Sequence, residues 1–163
     1  MDNMDQLAIV GRLALAALLG AFVGIEREIR GYPAGVRTIA LVAMGSALFT
    51  DISTITGTED RIAAGIVTGI GFLGAGVIFR EGYTVRGITT AATIWSAAAV
   101  GMAVGREMYL TAGLGSLLIF LLLEARPVVR HLDSVLGTRW RGMAAREEEE
   151  EQKEGEQVRG RDD

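Results

Sequence analysis

Charged side chains stand where long apolar runs meet, and ionised groups near the hydrocarbon boundary are costly unless they are paired. Acidic and basic residues alternate across two such junctions, which would allow crossed ion pairs between them. Glu26 or Glu28 would then face Arg86. Glu81 would face Arg37. Such pairs form either a structural clamp or part of a functional site. We refer to six residues as the charge layer: Glu26, Glu28, Arg37, Arg80, Glu81 and Arg86.

Two further charges, Arg12 and Asp51, lie inside apolar runs. Arg12 follows the start of its run by about five residues, which is roughly 7 Å of helix. Asp51 lies at a comparable depth from the same surface. A lone charge in a spanning helix costs on the order of 3 kcal/mol, so we predict that the two form an intramembrane ion pair. The alternative is that Arg12 extends outward along its stem while Asp51 sits in headgroup water.

The residue types needed for catalysis are scarce. The chain has one histidine and no cysteine, and it lacks a nucleophile-base-acid set, a phosphate-binding loop and a cluster with metal-ligand spacing. We therefore expect no enzyme, no cofactor and no metal site. Nucleic-acid binding is not expected either, because the net charge is −4 and the basic residues flank apolar runs.

The composition indicates a membrane protein, because half of the 163 residues are hydrophobic and the charges are confined to short patches. A spanning helix needs roughly 20 mostly apolar residues. The fold class is therefore all-α, a polytopic membrane protein of five transmembrane helices, although four would also fit the pattern. The predicted spans are Leu7 to Ile25, Val36 to Ile55, Ile62 to Phe79, Ile88 to Val104 and Met108 to Leu123.

The distribution of arginine predicts the orientation of the spans. The turns after the first and third spans and the segment after the fifth are rich in arginine, whereas the alternate turns carry only Arg61 and Arg106. Arginine-rich segments stay in the cytoplasm. The N-terminus is therefore expected outside and the C-terminus inside.

An internal repeat relates the first two spans to the next two. The segment VGIEREIRGYPAGVRTIALVAMGSAL has the same order of apolar helix end, charged turn and small-residue helix as GVIFREGYTVRGITTAATIWSAAAV. Both copies begin on the same side of the membrane, so the repeat is predicted to be a tandem, parallel pair of helical hairpins.

Glycines mark the third span. Gly65, Gly69 and Gly76 share one helix face, and Gly71 and Gly74 lie on another. Small residues let helix backbones approach closely in lipid, so we expect Gly69 and Gly76 to tolerate no bulky side chain. The alternative is that the run is locally unwound around a ligand.

The predicted transmembrane domain covers residues 1–125. Residues 126–146 repeat apolar side chains at helical spacing beside arginines, which is typical of a basic amphipathic helix on the inner leaflet. Residues 147–163 are dominated by charge and are expected to form a disordered acidic tail.

Four segments resemble the membrane domain of the MgtC/SapB family of bacterial membrane proteins: GIEREIRG, AGVRTIALVAMGSALF, GIGFLGAGVIFREG and VRGITTAATIWSAAAVGMAVG. The resemblance covers essentially residues 7–125. Where some virulence-associated members have asparagine, this chain has Thr89. By position, the signature residues of the family that lie in predicted helices include Gly69, Gly74, Gly76, Thr90 and Trp95.

The resemblance implies a bacterial inner-membrane protein linked to growth at low magnesium and survival inside host cells. Some members are thought to restrain the proton-translocating ATP synthase. Two hypotheses follow. The first is a regulator that binds another membrane protein, with the lipid bilayer and a second copy as further partners. The second is a magnesium or proton transporter, although Asp51 is the only acid inside a span away from its ends.

Overall fold

The computed structural model describes residues 2–81 and 84–125, and this part of the chain forms five α-helices and one two-stranded sheet. The proposed interfacial helix over 126–146 and the acidic tail over 147–163 lie outside the described residues. The contacts discussed below lie within residues 2–123, which belong to one compact unit. The elements are α1 (Asn3–Ile29), α2 (Val36–Thr56), α3 (Glu59–Gly76), β1 (Phe79–Glu81), β2 (Thr84–Arg86), α4 (Ile88–Gly105) and α5 (Tyr109–Glu124).

Three of the five helices, α1, α2 and α4, are long and apolar enough to cross a membrane. The first turn of α3 carries three charged residues, from Glu59 to Arg61, and α5 has only 16 residues. A 16-residue helix rises about 24 Å, compared with a hydrocarbon thickness of about 30 Å. The all-α membrane class is confirmed, while the number of crossings stays a prediction.

Local sequence fixes the helix ends. Asp2 and Asp5 form a reciprocal capping box at the start of α1, with each side chain accepting a bond from the other's backbone N–H. At the end of α1, Gly31 adopts a φ of 69°, and the bonds from Gly31 N to Glu28 O and from Tyr32 N to Arg27 O complete a Schellman motif. These signals make α1 end abruptly beside the start of α2.

Helices α2 and α4 form the centre of the bundle, and α1 and α3 each contact both of them. Arg12 near the start of α1 meets the later part of α2 at Asp51, and Arg27 near its end meets the start of α4 at Thr90. Helix α1 is therefore antiparallel to both central helices, and α2 and α4 run parallel to each other. This is the arrangement expected of a parallel hairpin repeat.

Backbone contact joins the two central helices. A Cβ at Gly101 would meet the carbonyl oxygen of Ala43, and a Cβ at Gly105 would lie 2.8 Å from Ala47 O. Lipid gives little hydrophobic drive for helix association, so such close packing is what holds membrane helices together. Small and branched side chains fill the rest of the core, among them Ala16, Ala47, Val100 and Val104.

The segment between α3 and α4 was expected to be a charged turn, but it contains an antiparallel β-hairpin. Phe79 pairs with Arg86, Arg80 with Val85 and Glu81 with Thr84. Aromatic and β-branched residues favour the extended backbone here. Gly87 then takes a φ of 92° and starts α4 with its Cα against the backbone of Val77, where a Cβ does not fit. The two turns of the repeat therefore differ in structure.

We predict that Gly101→Ala lowers the free energy of unfolding by about 1–3 kcal/mol, because the added Cβ forces two backbones apart. Gly45→Ala is the matched control on another face of α2, where nothing lies within 4 Å of the added Cβ. That variant should be neutral or stabilising by up to about 1 kcal/mol. Thermal unfolding of the full chain in detergent measures both, and equal effects would contradict the close contact.

Candidate functional site

Arg12 joins three elements at one end of the bundle. Its Nε donates to Asp51 Oδ1 over 2.8 Å, and its Nη2 lies 2.7 Å from the same oxygen. Its Nη1 donates to Glu107 Oε1 over 2.9 Å. Asp51 is only 4% exposed, whereas Glu107 is 64% exposed. The structure thus contains the ion pair between α1 and α2, and Arg12 adds the turn between α4 and α5.

Glu107, the exposed partner of Arg12, lies in the turn between α4 and α5. It occupies the left-handed region with a φ of 61°. The bonds from Glu107 N to Val104 O and from Met108 N to Ala103 O make it the left-handed residue of a Schellman motif, a position that glycine usually takes. Glu107 therefore holds a strained backbone conformation, and its carboxylate pairs with Arg12.

A cavity of 590 Å³ opens beside this cluster. Asp51 Oδ2 is buried and has no hydrogen-bond partner among the described residues, which is costly for a carboxylate oxygen. The cavity is lined by Asp5, Ala8, Ile9, Arg12, Asp51, Thr54, Ile55, Gly105, Arg106 and Glu107.

A second charged cluster lies at the other end of α1. Glu26 and Arg27 are 3% and 2% exposed. Arg27 Nη2 donates to Thr90 Oγ1 over 2.9 Å, and its guanidinium carbon lies 3.6 Å from the ring centroid of Tyr32, in cation–π geometry. Glu26 pairs with Arg30 at 2.8 Å and with Arg27 at 3.5 Å. A desolvated cation is thus held between α1 and α4.

The charge layer is not one cluster. Glu26 pairs within its own helix, one residue and one turn away, so its predicted pairing with Arg86 is wrong. The short reach along α1 costs less side-chain entropy than a bridge to the hairpin. Arg37 is exposed on α2. Arg80 and Arg86 lie on β1 and β2, and the side chain of Glu81 lies outside the description.

Glu28 has a different role from the one expected. Its Oε2 accepts a hydrogen bond from Val36 N over 3.0 Å, so its carboxylate caps the N-terminus of α2, where negative charge is favourable. Gly35 lies directly beneath this carboxylate, and a Cβ there would collide with it. Glu28 and Gly35 together replace the side-chain cap that α2 lacks.

The signature residues divide into packed and open positions. Gly74 is buried, and a Cβ added to it would lie 3.5 Å from the Cβ of Ala91. Thr90 accepts the hydrogen bond from Arg27. Thr89 and Trp95 are exposed. Helix α3 continues through the glycine run, so the unwound alternative does not hold.

Among the described residues, nothing lies within 4 Å of a Cβ at Gly69 or Gly76, so this part of the chain does not make the close backbone approach expected there, and their intolerance of bulk stays a prediction. Their face points away from α4, against which Gly74 packs on the opposite side of α3. A side chain added at either position would meet empty space within this chain. Intolerance of bulk would therefore need a partner outside the described residues.

Arg27, Tyr32 and Glu107 were not among the predicted site residues. Arg27 could have been found, because helical spacing places it on the same face as Gly20 and Gly24, which pack against α2. The role of Glu107 depends on a backbone conformation that its residue type does not signal.

A groove of 810 Å³ separates α2 from α3, and its walls are apolar apart from one arginine, a threonine and a serine. In residues 2–81 and 84–125, no group of three or more His, Cys, Asp or Glu side chains is arranged to hold a metal ion. The described part thus offers ion pairs and apolar surfaces.

A helical bundle with spanning helices and charges paired at its two ends defines a polytopic α-helical membrane protein. The chain belongs to the MgtC family, whose family model matches residues 13–132.

Proteins named MgtC are among its relatives. The chain is 46% identical to Protein MgtC of Brucella abortus (strain 2308) over 125 residues, or 74% of this chain and 52% of the relative. It is 48% identical to Protein MgtC of Salmonella typhimurium (strain LT2) over 121 residues, or 72% of this chain and 52% of the relative. An uncharacterized protein of Synechocystis, slr0014, is 50% identical over 111 residues, or 66% of this chain and 47% of the relative. The chain spans about half the length of these relatives. No solved structure matches the chain.

The Arg12–Asp51 pair predicts strong coupling in a double-mutant cycle. Arg12→Leu alone leaves a buried carboxylate uncompensated and should cost about 3–5 kcal/mol, as should Asp51→Leu. The double substitution should recover much of the loss. Glu107→Gln is the control: it removes an exposed partner and should cost at most about 1 kcal/mol. Additive effects in thermal unfolding would show that the two charges are independent.

The Arg27–Thr90 bond predicts different effects at neighbouring threonines. Thr90→Val should cost about 1.5–3 kcal/mol, because it removes the hydrogen bond to a buried cation. Thr89→Val, the same change at an exposed position, should cost less than about 0.5 kcal/mol. In an Arg27→Met background, Thr90→Val should lose its effect, and a persisting cost would point to packing instead.

Proposed function

We propose that this protein is a non-enzymatic regulator in the bacterial inner membrane that acts by binding another integral membrane protein. Membership of the MgtC family supports a setting of low magnesium and survival inside host cells, with the proton-translocating ATP synthase as the candidate partner. The proposed orientation has the N-terminus outside and the C-terminus in the cytoplasm.

The observation that carries this proposal is the open surface on the half of α3 next to β1. Phe72 is 81% exposed, and nothing lies within 4 Å of a Cβ at Gly71 or Gly76 on either side of it. A large aromatic side chain between glycines offers contact area and close backbone approach to a helix of another protein. Gly74 packs inward on Ala91, so this segment is held firmly while its outer face stays free.

The alternative function is an ion transporter with a path between the two hairpins. Asp51 Oδ2 favours it, because a buried oxygen without a hydrogen-bond partner lies at a cavity open on one side. The contacts of Gly101 and Gly105 with α2 argue against it, since backbones in contact leave no room for hydrated ions. Core residues such as Val100 and Ile94 fill the space between the two charged ends.

The proposal predicts that Phe72→Ala weakens partner capture about tenfold or more, the scale of a hot-spot contact. Leu122→Ala is the matched control, because Leu122 is a similarly exposed apolar residue, 75% against 81%. Tagged full-length chain is captured from membranes in mild detergent, and co-purified ATP synthase subunits are quantified by mass spectrometry. Equal capture by both variants would contradict a contact at this surface.

Liposomes containing only this protein distinguish the two functions. The regulator proposal predicts proton and magnesium flux at the level of protein-free liposomes. Proton or magnesium flux that Asp51→Asn abolishes would contradict the regulator proposal and support the transporter.

A further inference from the structure

The groove between α2 and α3 has the shape of a slot with one charged end. Its walls include three glycines, Gly45 on α2 and Gly65 and Gly69 on α3. Among the described residues, nothing lies within 4 Å of a Cβ added at any of them. Phe49 and Leu73 contribute apolar surface, and both are half exposed. The slot is therefore open toward the outside of the bundle and has room for a narrow apolar chain.

The length of the slot matches one leaflet of a bilayer. Its lining on α3 extends from Arg61 to Leu73, which corresponds to about 18 Å of helix. Half of a hydrocarbon core is about 15 Å thick. A transmembrane helix from a partner or a second copy would contact a surface across about 30 Å, compared with about 18 Å in this slot. An acyl chain needs only one leaflet.

Arg61 stands at the end of the slot without a partner of its own. It is exposed, and its side chain makes no hydrogen bond or ion pair among residues 2–81 and 84–125. It also lies in the first turn of α3, where the helix dipole disfavours a cation, and among the described residues it pairs with neither Glu59 nor Asp60 of that turn. A neighbouring anion would offset that unfavourable position, and basic pockets between membrane helices are known to hold lipid head groups.

We propose that this slot, lined by Gly45, Gly65 and Gly69, binds one acyl chain of an anionic phospholipid in the leaflet on the Arg61 side. The lipid phosphate contacts the Arg61 guanidinium, and the chain lies along the slot as far as Leu73. The slot ends at the level of Phe72, whose side chain is exposed and does not line it, and the proposal does not depend on the proposed function.

The test uses the full chain, purified in detergent and exposed to phosphatidylglycerol or phosphatidylcholine, with retained lipid counted by native mass spectrometry. We expect phosphatidylglycerol to be retained preferentially, and Arg61→Gln to lower that retention about threefold or more, as an interfacial ion pair would. Arg106→Gln is the matched control, because Arg106 is an exposed arginine that lines the other cavity. It should retain phosphatidylglycerol like the unaltered chain.

A second pair of variants tests the slot itself. Gly65→Leu fills it and should abolish retention, whereas Gly113→Leu adds the same side chain at an open position on α5 and should not. Arg61→Gln removes no contact, so it reports on lipid even if Gly65→Leu fails to fold.

The position of the lipid is read with a tryptophan placed in the slot. Phe49→Trp in a Trp95→Phe, Trp140→Phe background should be quenched more strongly by brominated phosphatidylglycerol than by brominated phosphatidylcholine, and Arg61→Gln should remove the difference. Three results would each overturn the proposal: equal loss of retention in Arg61→Gln and Arg106→Gln, no preference between the two lipids, or a dimer mass that Gly65→Leu dissociates.

Discussion

The backbone contact between Gly101 of α4 and Ala43 of α2 is the constraint on which the rest of the bundle depends. Lipid supplies little hydrophobic force between helices, so this close approach sets the distance and the register of the two parallel central helices. The register brings the end of α2 and the turn after α4 to one level, where Arg12 spans both Asp51 and Glu107. It also leaves the first turn of α4 beside the end of α1, where Arg27 meets Thr90. The charged residues at both ends of α1 thus meet their partners because Gly101 fixes the position of α4 against α2.

The level of a charged residue along its helix was predictable from the sequence, but its partner was predictable only where few opposite charges lay at the same level. Two opposite charges at similar depth in a span have few partners, so Arg12 and Asp51 could be matched by counting residues. Glu26 had several cations within reach, and the nearest two, on its own helix, are the ones it pairs with. The open surroundings of Gly69 and Gly76 among the described residues could not be predicted either. Helical spacing shows which residues share a face, but not which helix packs against that face. The hairpin at Phe79 was missed because three-residue strands have almost no periodicity.

The two Schellman motifs show how the same backbone geometry carries different chemistry. Gly31 ends α1 at no steric cost, and the following Tyr32 lies against Arg27. Glu107 ends α4 in the same conformation, where a non-glycine residue costs on the order of 1 kcal/mol or more. The strained residue carries a carboxylate that reaches Arg12. Glycine would relax the turn but would remove Glu107 as a partner of Arg12, so the strain is linked to the charge cluster.

Helix α3 differs from the other helices because its two halves face different surroundings. The half that begins at Arg61 is separated from α2 by the slot, whereas the half that ends at Gly76 is held against α4 through Gly74. A chain lying in the slot would fill the gap on one side of a helix that is fixed on the other. Because Gly74 and the slot lie on different faces of α3, such a chain would contact the helix without displacing its contact with α4.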